Sequence, residues 1–374
     1  MRLGPIYSMK ICFLSLSSYP TLTGRNLGYA GGAEVQQVHL ARELVAHGYE
    51  TCFVTYRHGQ NDIENVGAIE MIKTYDRENA SKMNALLKYR SIWSSLKKAN
   101  ADIYFHSAGS TGVLPLFCCA NRKKFVYRIS SDAVALSKPI PKEYNFFDRT
   151  LEMLEIKRAN VVVAQTNFQK SILRERFEVE SVLIKNGLPI PKANCEKPNP
   201  PIVLWVGSIS NVKNAHLFIE LAKSIPNAKF EMVGGKTKNW QLYEKIKEAA
   251  KMLSNFKFYG FVPYHKVNEF FEKASILVNT SSVEGFPNTF LQAWAHYTPV
   301  ISLNVDPDGI INKNRLGFCS KTFKQLVSDV NRLLKDEALR KKMGENGRKY
   351  VEKEHDIQEI TKKYIKAFEE ILHR

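Results

Sequence analysis

The sequence of 374 residues lacks any long apolar run. A membrane-spanning helix needs roughly 20 consecutive apolar residues, and no stretch approaches that length. The first residues, Met1–Pro5, also lack the apolar centre of a secretory signal peptide. These absences indicate a cytoplasmic protein. Because Met9 opens directly into a strand pattern, we expect residues 1–8 to be an extension with no structural role.

Cysteine usage shows neither the pattern of a metal site nor that of a disulfide framework. The six cysteines form no C-x-x-C pair and have no regular spacing. We therefore expect buried free thiols, as is usual in a reducing cytoplasm, and neither a metal nor any other cofactor. The cysteines are Cys12, Cys52, Cys118, Cys119, Cys195 and Cys319.

A dinucleotide-binding fingerprint is also absent. After the first predicted strand, residues 10–16, the loop to the next helix is far longer than the turn of a G-x-G-x-x-G motif. This argues against an enzyme that uses a nicotinamide or flavin cofactor. The loop ends instead in Gly31 and Gly32 at a helix N-terminus, where backbone N–H groups can approach an anionic ligand closely.

Acidic residues are outnumbered, since 54 Lys and Arg stand against 37 Asp and Glu and give a formal net charge of +17. Such a charge favours an anionic partner: nucleic acid, an anionic lipid surface or a phosphate-bearing substrate. Residues 79–99 predict a helix in which apolar positions are interleaved with lysine and arginine. This helix packs its apolar face on the sheet or docks on an anionic membrane surface, and both interpretations stay open.

Short apolar runs alternate with helical patterns along the chain. This predicts an α/β protein with two doubly wound, Rossmann-like domains and parallel sheets. Five prolines crowd residues 189–201 and predict a stiff linker. We assign residues 1–190 to an N-terminal domain, 191–201 to the linker, 202–355 to a C-terminal domain and 356–374 to a last helix. That helix is expected to pack back on the N-terminal domain.

The residues best suited to ligand binding follow the carboxyl ends of predicted strands. One strand leads into the segment 284–292, where an acidic residue, a glycine and a proline precede a helix. Another strand leads into Gly207 and Lys213. Glycines at helix starts and a lysine suit a diphosphate, whereas a carboxylate and an amide suit sugar hydroxyls. We expect these segments and Gly31–Gly32 to line a cleft between the two domains.

These residues resemble a known family, the group 1 (family four) retaining glycosyltransferases of the GT-B fold. The resemblance covers nearly the whole chain and is strongest over residues 202–303. It also includes Gly207 with Lys213, and Gly31-Gly32-Ala33-Glu34. The most specific part of the motif is Glu284-Gly285-Phe286-Pro287-Asn288, followed by Gln292-Ala293-Trp294-Ala295 and Thr298-Pro299-Val300-Ile301.

The resemblance implies an enzyme that moves a sugar from a nucleoside-diphosphate sugar to a glycan or lipid-linked acceptor, with retention at the anomeric carbon and without a metal. The N-terminal domain would bind the acceptor and the C-terminal domain the donor. The enzyme would serve cell-surface polysaccharide or glycolipid synthesis, in the cytoplasm or peripherally on the inner face of the membrane. The implied donor-binding residues are Gly31, Gly32, Gly207, Ser208, Lys213, Glu284, Gly285, Phe286, Pro287, Asn288 and Gln292.

Two of these residues carry the predicted chemistry of the donor half, and two depart from the family pattern. Glu284 would contact the donor sugar, and Lys213 would neutralise the diphosphate leaving group. The family's second motif glutamate is Gln292 here, which can accept from ribose hydroxyls but also donates. The family usually has an arginine at the position of Ser208. One phosphate cation is therefore missing unless another residue, such as Arg128 or Lys185, supplies it.

The first half offers two candidate catalytic groups on the acceptor side. Where relatives often carry His-Asp after a strand, this chain has Ser131 and Asp132. Asp132 is the first candidate to face the acceptor, and His106, at the end of another predicted strand, is the second. A plain structural role is the alternative for both residues.

Three other functions compete with an active transferase. A nucleotide-sugar epimerase shares the two-domain fold, but it needs several acid–base groups that the segment after residue 284 does not supply. A catalytically silent member that binds a nucleotide-sugar or glycan is favoured by Ser208 and Gln292. A nucleic-acid-binding protein is favoured by charge alone, since no recognised nucleic-acid-binding motif accompanies it.

Overall fold

The computed structural model describes residues 9–59, 61–107, 111–132, 146–194, 196–237 and 239–373, with backbone alone for 146–149. The predicted extension, residues 1–8, lies outside these ranges, and so does Cys195. The described chain divides into two compact units. The first takes the described parts of residues 1–23, 30–187 and 357–374, and the second takes residues 24–29 and 188–356.

The first unit is built on an eight-stranded sheet. Its strands are β1 (Lys10–Leu14), β2 (Glu50–Arg57), β3 (Ile63–Val66), β4 (Ile69–Asp76), β5 (Ile103–His106), β6 (Lys124–Arg128), β7 (Val161–Ala164) and β8 (Val182–Leu183). They lie in the order β3-β4-β2-β1-β5-β6-β7-β8, and every pair is parallel except β3–β4. Its first helices are α1 (Tyr19–Thr23), α2 (Gly32–Ala46), α3 (Ala85–Ala99), α4 (Val113–Ala120), α5 (Phe146–Arg158) and α6 (Asn167–Phe177).

The segment between β2 and α3 differs from its prediction. The antiparallel pair β3–β4 was not predicted, because its polar residues hide the strand pattern. Lys73 of β4 has a fully buried side chain, and its ammonium pairs with Glu64 of β3 at 3.1 Å. The predicted helix 79–99 is also too long at its start. Asn84 caps α3 by accepting a hydrogen bond from the Leu87 N–H (2.9 Å), so the helix begins at residue 85.

The second unit contains a six-stranded, wholly parallel sheet. Its strands are β9 (Ile202–Val206), β10 (Lys229–Val233), β11 (Phe256–Phe258), β12 (Ile276–Asn279), β13 (Val300–Ser302) and β14 (Gly317–Cys319), in the order β11-β10-β9-β12-β13-β14. Its helices are α7 (Ala215–Ser224), α8 (Trp240–Lys251), α9 (Tyr264–Lys273), α10 (Asn288–Ala295), α11 (Ile310–Lys313), α12 (Phe323–Lys335) and α13 (Glu337–Glu354). Strand–helix alternation thus gives the predicted Rossmann-like fold twice.

The last helix, α14 (Ile357–Leu372), packs on the first unit, as predicted. Its buried residues recur at helical spacing and place an apolar stripe against the sheet. The rings of Tyr364 and Phe368 lie edge-on to Phe105 of β5, with centroid distances of 5.8 and 6.4 Å. The C-terminal segment therefore completes the core of the unit that the N-terminal segment begins.

Residues 191–201, predicted to be a linker, belong to the second unit. The Lys197 ammonium donates to the carbonyl oxygens of Phe271 (3.2 Å), Glu272 (2.8 Å) and His296 (2.6 Å), which lie at the ends of α9 and α10. These are carbonyls that a helix end leaves without a partner in the helix. The high proline content predicted a stiff linker between the domains, and this lysine bonds that segment to the second unit.

The described cysteines are free thiols, as predicted, but they are not all buried. Cys12, Cys52 and Cys118 are buried, Cys319 is half-buried and Cys119 is exposed. Over the described ranges, no helix combines the length and the apolar character required to cross a bilayer.

Candidate functional site

Three neighbouring strands of the second unit position the predicted donor residues Gly207, Lys213 and Glu284. β9 lies between β10 and β12, so their carboxyl ends open on one edge of the sheet. The segment after β9 carries Gly207 and Lys213, and the segment after β12 carries Glu284. Lys213 and Glu284 are separated by about 70 residues in the sequence, but this strand order brings them into direct contact.

Lys213 and Glu284 form an ion pair. Lys213 Nζ lies 2.7 Å from Glu284 Oε2, and the side chains are 26% and 13% exposed. Glu284 Oε1 accepts a hydrogen bond from Asn279 Nδ2 at 2.8 Å. The pair is thus partly shielded from water, with a carboxylate and an ammonium available at the mouth of the sheet.

Polar contacts fix the two segments that carry this pair. Asn214 Nδ2 donates to Ser282 Oγ (2.6 Å) and to the Thr280 carbonyl oxygen (3.2 Å). The Thr280 hydroxyl donates to the Lys213 carbonyl oxygen (2.7 Å) and accepts from Trp205 Nε1 (3.0 Å). Because Thr280 is fully buried, its bond with Trp205 is shielded from water, and together the four bonds hold Lys213 in place relative to Glu284.

The Glu284 carboxylate is held in its charged form. Burial by itself disfavours the charge, but the Lys213 ammonium and hydrogen bonds from Ser281 and Asn279 outweigh it. Together they lower the pKa of Glu284 below its usual value. At neutral pH the site therefore presents a carboxylate that can accept hydrogen bonds from sugar hydroxyls.

Glycines permit close backbone approach between the ends of β9 and β10. The Gly207 N–H donates to the Val233 carbonyl oxygen (3.1 Å), and the Ile209 N–H to that of Gly235 (3.0 Å). A Cβ at Gly234 would lie 2.7 Å from Ile209 Cδ1 and 2.8 Å from the Gly207 oxygen, so only glycine fits there. Ser208 lies exposed on this edge and supplies no positive charge.

The predicted motif segment ends at the N-terminus of α10. Pro287 is the N-cap and Asn288 the first helical residue, while Gly285 and Phe286 precede them and are buried. The Phe286 ring packs against the ring of His355, with centroids 4.9 Å apart. The side chain of Phe286 thus anchors the segment that leads into the N-terminus of α10.

Gln292 is buried on α10 and bonded to a residue of α9. Its Nε2 donates to Asn268 Oδ1 at 3.1 Å. This bond orients the side-chain amide and directs its nitrogen toward α9. Sequence reasoning missed Asn268, because nothing in the spacing of the chain links α9 to α10.

In the first unit, Gly31 and Gly32 begin α2 as predicted. Gly31 is the N-cap in an extended conformation (φ −111°, ψ 151°). The Glu34 carboxylate folds back against Gly31, and burial raises the pKa of Glu34. An anion bound at this helix N-terminus would therefore compete with Glu34, a residue that sequence analysis noted only as part of the motif.

His106, at the carboxyl end of β5, is buried against Glu155. Its Nδ1 lies 2.7 Å from Glu155 Oε2, while Glu155 Oε1 accepts from the N–H groups of Thr111 and Gly112 at 3.1 Å each. Burial opposes the Glu155 charge, but His106 and these N–H groups lower its pKa. A catalytic role for His106 stays a prediction, and the observed contacts serve the packing of α5.

Arg128 is the last residue of β6, Asp132 lies just beyond it, and the two differ in surroundings. Asp132 is half-buried, and its Oδ1 accepts from Gln169 Nε2 at 2.8 Å. Arg128 is only 3% exposed and donates to Ser107 Oγ (3.3 Å) and to Asn186. These bonds argue against Arg128 as the substitute for the cation missing at position 208, whereas a role for Asp132 toward the acceptor stays a prediction.

Comparison with known proteins points to one enzyme family. The sequence profile of the group 1 glycosyl transferases matches residues 189–350, and that of glycosyltransferase family 4 matches residues 30–190. A relative from Haemophilus influenzae, described as an uncharacterized glycosyltransferase, is 23% identical over 362 residues, which are 91% of this chain and 96% of the relative.

Solved structures share the fold. Sucrose-phosphate synthase from Thermosynechococcus elongatus superposes with a TM-score of 0.81 at 17% identity, covering 98% of this chain and 99% of the other. HepE from Anabaena, solved in complex with UDP and glucose, superposes with a TM-score of 0.73 at 15% identity, covering 97% and 100%. At such identities the similarity establishes the two-domain fold.

Proposed function

Because this chain belongs to the group 1 glycosyltransferases of the GT-B fold, we propose that it transfers a sugar from a nucleoside-diphosphate sugar with retention of the anomeric configuration. The acceptor is a glycan or a lipid-linked glycan, in the synthesis of a cell-surface polysaccharide or glycolipid. The reaction takes place on the cytoplasmic side and needs no metal. Its donor half lies in the second unit.

The observation that carries the proposal is the ion pair of Lys213 and Glu284 beside the N-terminus of α10. A nucleoside-diphosphate sugar carries anionic phosphates next to neutral hydroxyls. An ammonium and the N-terminus of a helix suit the phosphates, and a charged carboxylate suits the hydroxyls. The ammonium of Lys213 and the carboxylate of Glu284 lie 2.7 Å apart on segments that are bonded to each other, and such preorganised charges are what electrostatic catalysis requires.

The proposed reaction exchanges one bond at the anomeric carbon for another. The bond to the diphosphate oxygen breaks, and the acceptor oxygen bonds to the same face of the sugar. The acceptor proton passes to an oxygen of the leaving phosphate. Lys213 and the dipole of α10 stabilise the negative charge that grows on the diphosphate. Glu284 holds the sugar, and no protein nucleophile is assigned.

Donor turnover tests the proposal directly. We expect the protein to release nucleoside diphosphate from one donor in a panel of UDP-, GDP- and ADP-sugars, with UDP-glucose the first to try. The proton–proton coupling at the anomeric carbon of the product then reports retention or inversion. An inverted product would contradict the same-face mechanism. If no nucleoside diphosphate were released with any of the varied acceptors, the proposed transferase activity would be contradicted.

Ser208 favours one second candidate, a silent member that binds the donor without turnover. It is exposed at the edge where the family's arginine would supply a second cation. Calorimetric binding of a nucleoside-diphosphate sugar without release of the diphosphate would support this candidate. Ser208→Arg would then be expected to create turnover.

Gln292→Glu is expected to tighten binding of the nucleoside diphosphate several-fold. A carboxylate accepts hydrogen bonds from ribose hydroxyls more strongly than an amide does. In the variant, Asn268 can turn its amide so that Nδ2 donates to the new carboxylate. Isothermal titration with the diphosphate and with its 2′- and 3′-deoxy analogues measures the effect.

Gln241→Glu is the matched control, since it makes the same charge change at an exposed position of α8. Its affinity should equal that of the wild type. The gain from Gln292→Glu should shrink with the deoxy analogue whose hydroxyl the residue contacts. An equal gain with all three nucleotides would mean that residue 292 does not touch the ribose.

A further inference from the structure

Helix α3 leaves apolar side chains in solvent. It buries Ile92, Ser95, Leu96 and Ala99 against the first unit. On its outer side, Leu86 is 64% exposed and Leu87 is 49% exposed. Two adjacent, largely exposed leucines are costly in water, because the apolar area they present gains free energy when it is covered.

Apolar, aromatic and positively charged side chains share the same outer side of α3. Leu86, Arg90, Trp93 and Lys97 recur at intervals of three and four residues and so share one face. Together with the adjacent exposed Leu87 they form the surface that we call the α3 stripe. An open groove is lined by Tyr89, Arg90, Trp93, Ser94 and Lys97. Trp93 is anchored within it, since its ring meets Phe117 of α4 edge-on at 5.1 Å.

The positive charge of this region is not neutralised locally. From Asn79 to Ala101 the sequence contains five lysines and arginines and no acidic residue. Lys98 lies 3.8 Å from Asp62. Among the described residues, Arg90 and Lys97 have no carboxylate partner within ion-pair distance. The α3 stripe thus combines unpaired cations with exposed leucines and an anchored aromatic ring.

We infer that the α3 stripe is the surface by which the enzyme docks on an anionic lipid bilayer. Leu86 and Leu87 would enter the boundary between headgroups and acyl chains, Trp93 would lie at headgroup level, and Arg90 and Lys97 would contact anionic headgroups. The inference extends the lipid-linked acceptor of the proposed function by naming the surface that brings the enzyme to it.

The apolar residues favour a bilayer over the other anionic partners. A nucleic acid offers phosphates to Arg90 and Lys97 but no apolar layer for Leu86 and Leu87. An acidic protein would need a complementary apolar patch, whereas a bilayer supplies both layers at the required depth. The helix also lies flat on its own unit through its buried face, so its outer side is free to lie in the plane of a membrane.

Vesicle sedimentation tests the inference without donor or acceptor, so its outcome is independent of catalysis. We expect the full chain to sediment with vesicles that contain phosphatidylglycerol and not with phosphatidylcholine alone. Binding should weaken as salt is raised, because the headgroup charges are screened. Turnover on a water-soluble acceptor, measured in parallel, reports whether the proposed transferase activity holds.

Charge reversal at the α3 stripe locates the surface. Arg90→Glu with Lys97→Glu is expected to lower vesicle affinity by about tenfold or more. The matched control is Lys342→Glu with Lys349→Glu, which makes the same net charge change at two exposed lysines of α13 with the same seven-residue spacing. This control should bind vesicles like the wild type, and both variants should keep their turnover on a soluble acceptor.

Leu86→Ser with Leu87→Ser tests insertion separately from charge. Its affinity should fall several-fold, while the salt dependence stays that of the wild type. Circular dichroism checks that each variant is folded, and the lipid and salt dependence of the wild type stands whatever a variant does.

Several outcomes would overturn the inference. Equal losses in both charge-reversal variants would assign the binding to overall charge. If the variant with Leu86→Ser and Leu87→Ser bound vesicles as strongly as the wild type, insertion of these two leucines would be contradicted. Wild-type protein that ignores phosphatidylglycerol vesicles, or that binds RNA in solution through Arg90 and Lys97 while ignoring vesicles, would rule out a bilayer as the partner.

Discussion

Lys213→Ala is expected to lower kcat by about 10²- to 10³-fold while the fold stays intact. The Lys213 ammonium is the cation assigned to the diphosphate, while Ser208 supplies none and Arg128 is bonded inside the first unit. Negative charge grows on the diphosphate as its bond to the sugar breaks. Removal of the cation therefore raises the energy of the transition state more than that of the bound donor.

The folded state tolerates this change because other bonds support the segment. Thr280 bonds to the Lys213 backbone rather than to its side chain, so alanine keeps that contact. Glu284 keeps its hydrogen bonds from Asn279 and Ser281 but loses its partner cation. We expect a cost in unfolding free energy of about 1–2 kcal/mol, measured by denaturant titration.

Lys251→Ala is the matched control for the lysine. It breaks an ion pair of similar length in the same unit, Lys251 Nζ to Glu248 Oε1 at 2.8 Å, on the exposed side of α8. Its kcat should equal that of the wild type. If the Lys213→Ala enzyme kept a near wild-type kcat on a purified donor, Lys213 would not be the residue that stabilises the diphosphate.

Glu284→Gln is expected to lower kcat/KM by about 10- to 100-fold, since a hydrogen bond to a charged group contributes about 1.5–3 kcal/mol. The amide keeps the size of the side chain and can still accept from Asn279, so the segment should retain its shape. The variant loses the negative charge that holds the Lys213 ammonium and that strengthens the hydrogen bonds accepted from the hydroxyls of the donor sugar. Steady-state kinetics on the donor measures the change, with Glu248→Gln as the control.

A double-mutant cycle separates the two residues. If Lys213 acts only by holding Glu284, then Lys213→Ala has no further effect on kcat in the Glu284→Gln background. If Lys213 acts on the diphosphate and Glu284 on the sugar, both losses persist when combined. The structure leads us to expect the second result, because the two groups suit different parts of the donor.

The pH dependence of unfolding offers an independent check on Glu284. Its pKa is lower in the folded than in the unfolded chain, so the carboxylate stabilises the fold above the unfolded pKa. That stabilisation is lost as the pH falls through the folded pKa. The difference in unfolding free energy between wild type and Glu284→Gln should therefore be constant near neutral pH and shrink below about pH 4.5.

Much of the fold could be predicted from local pattern. The buried strands β1, β9 and β12 are apolar runs apart from Lys10 at the start of β1 and Asn279 at the end of β12, as a parallel sheet covered on both faces requires. The pair β3–β4 escaped prediction because Glu64 and Lys73 neutralise each other only after the strands have paired. Local pattern also could not show that Lys197 of the predicted linker bonds to helix ends that are distant in sequence.

The donor site divides in the same way. The sequence by itself determined that Glu284 and Lys213 each lie between an apolar strand and a helix, since local pattern encodes such junctions, and this made them the candidates for the donor chemistry. Only the tertiary structure decided that the two form an ion pair, that Asn214 and Thr280 bind their segments together, and that Asn268 orients Gln292. Those contacts depend on strand order, which places β9 beside β12 across about 70 residues of chain that no local pattern spans.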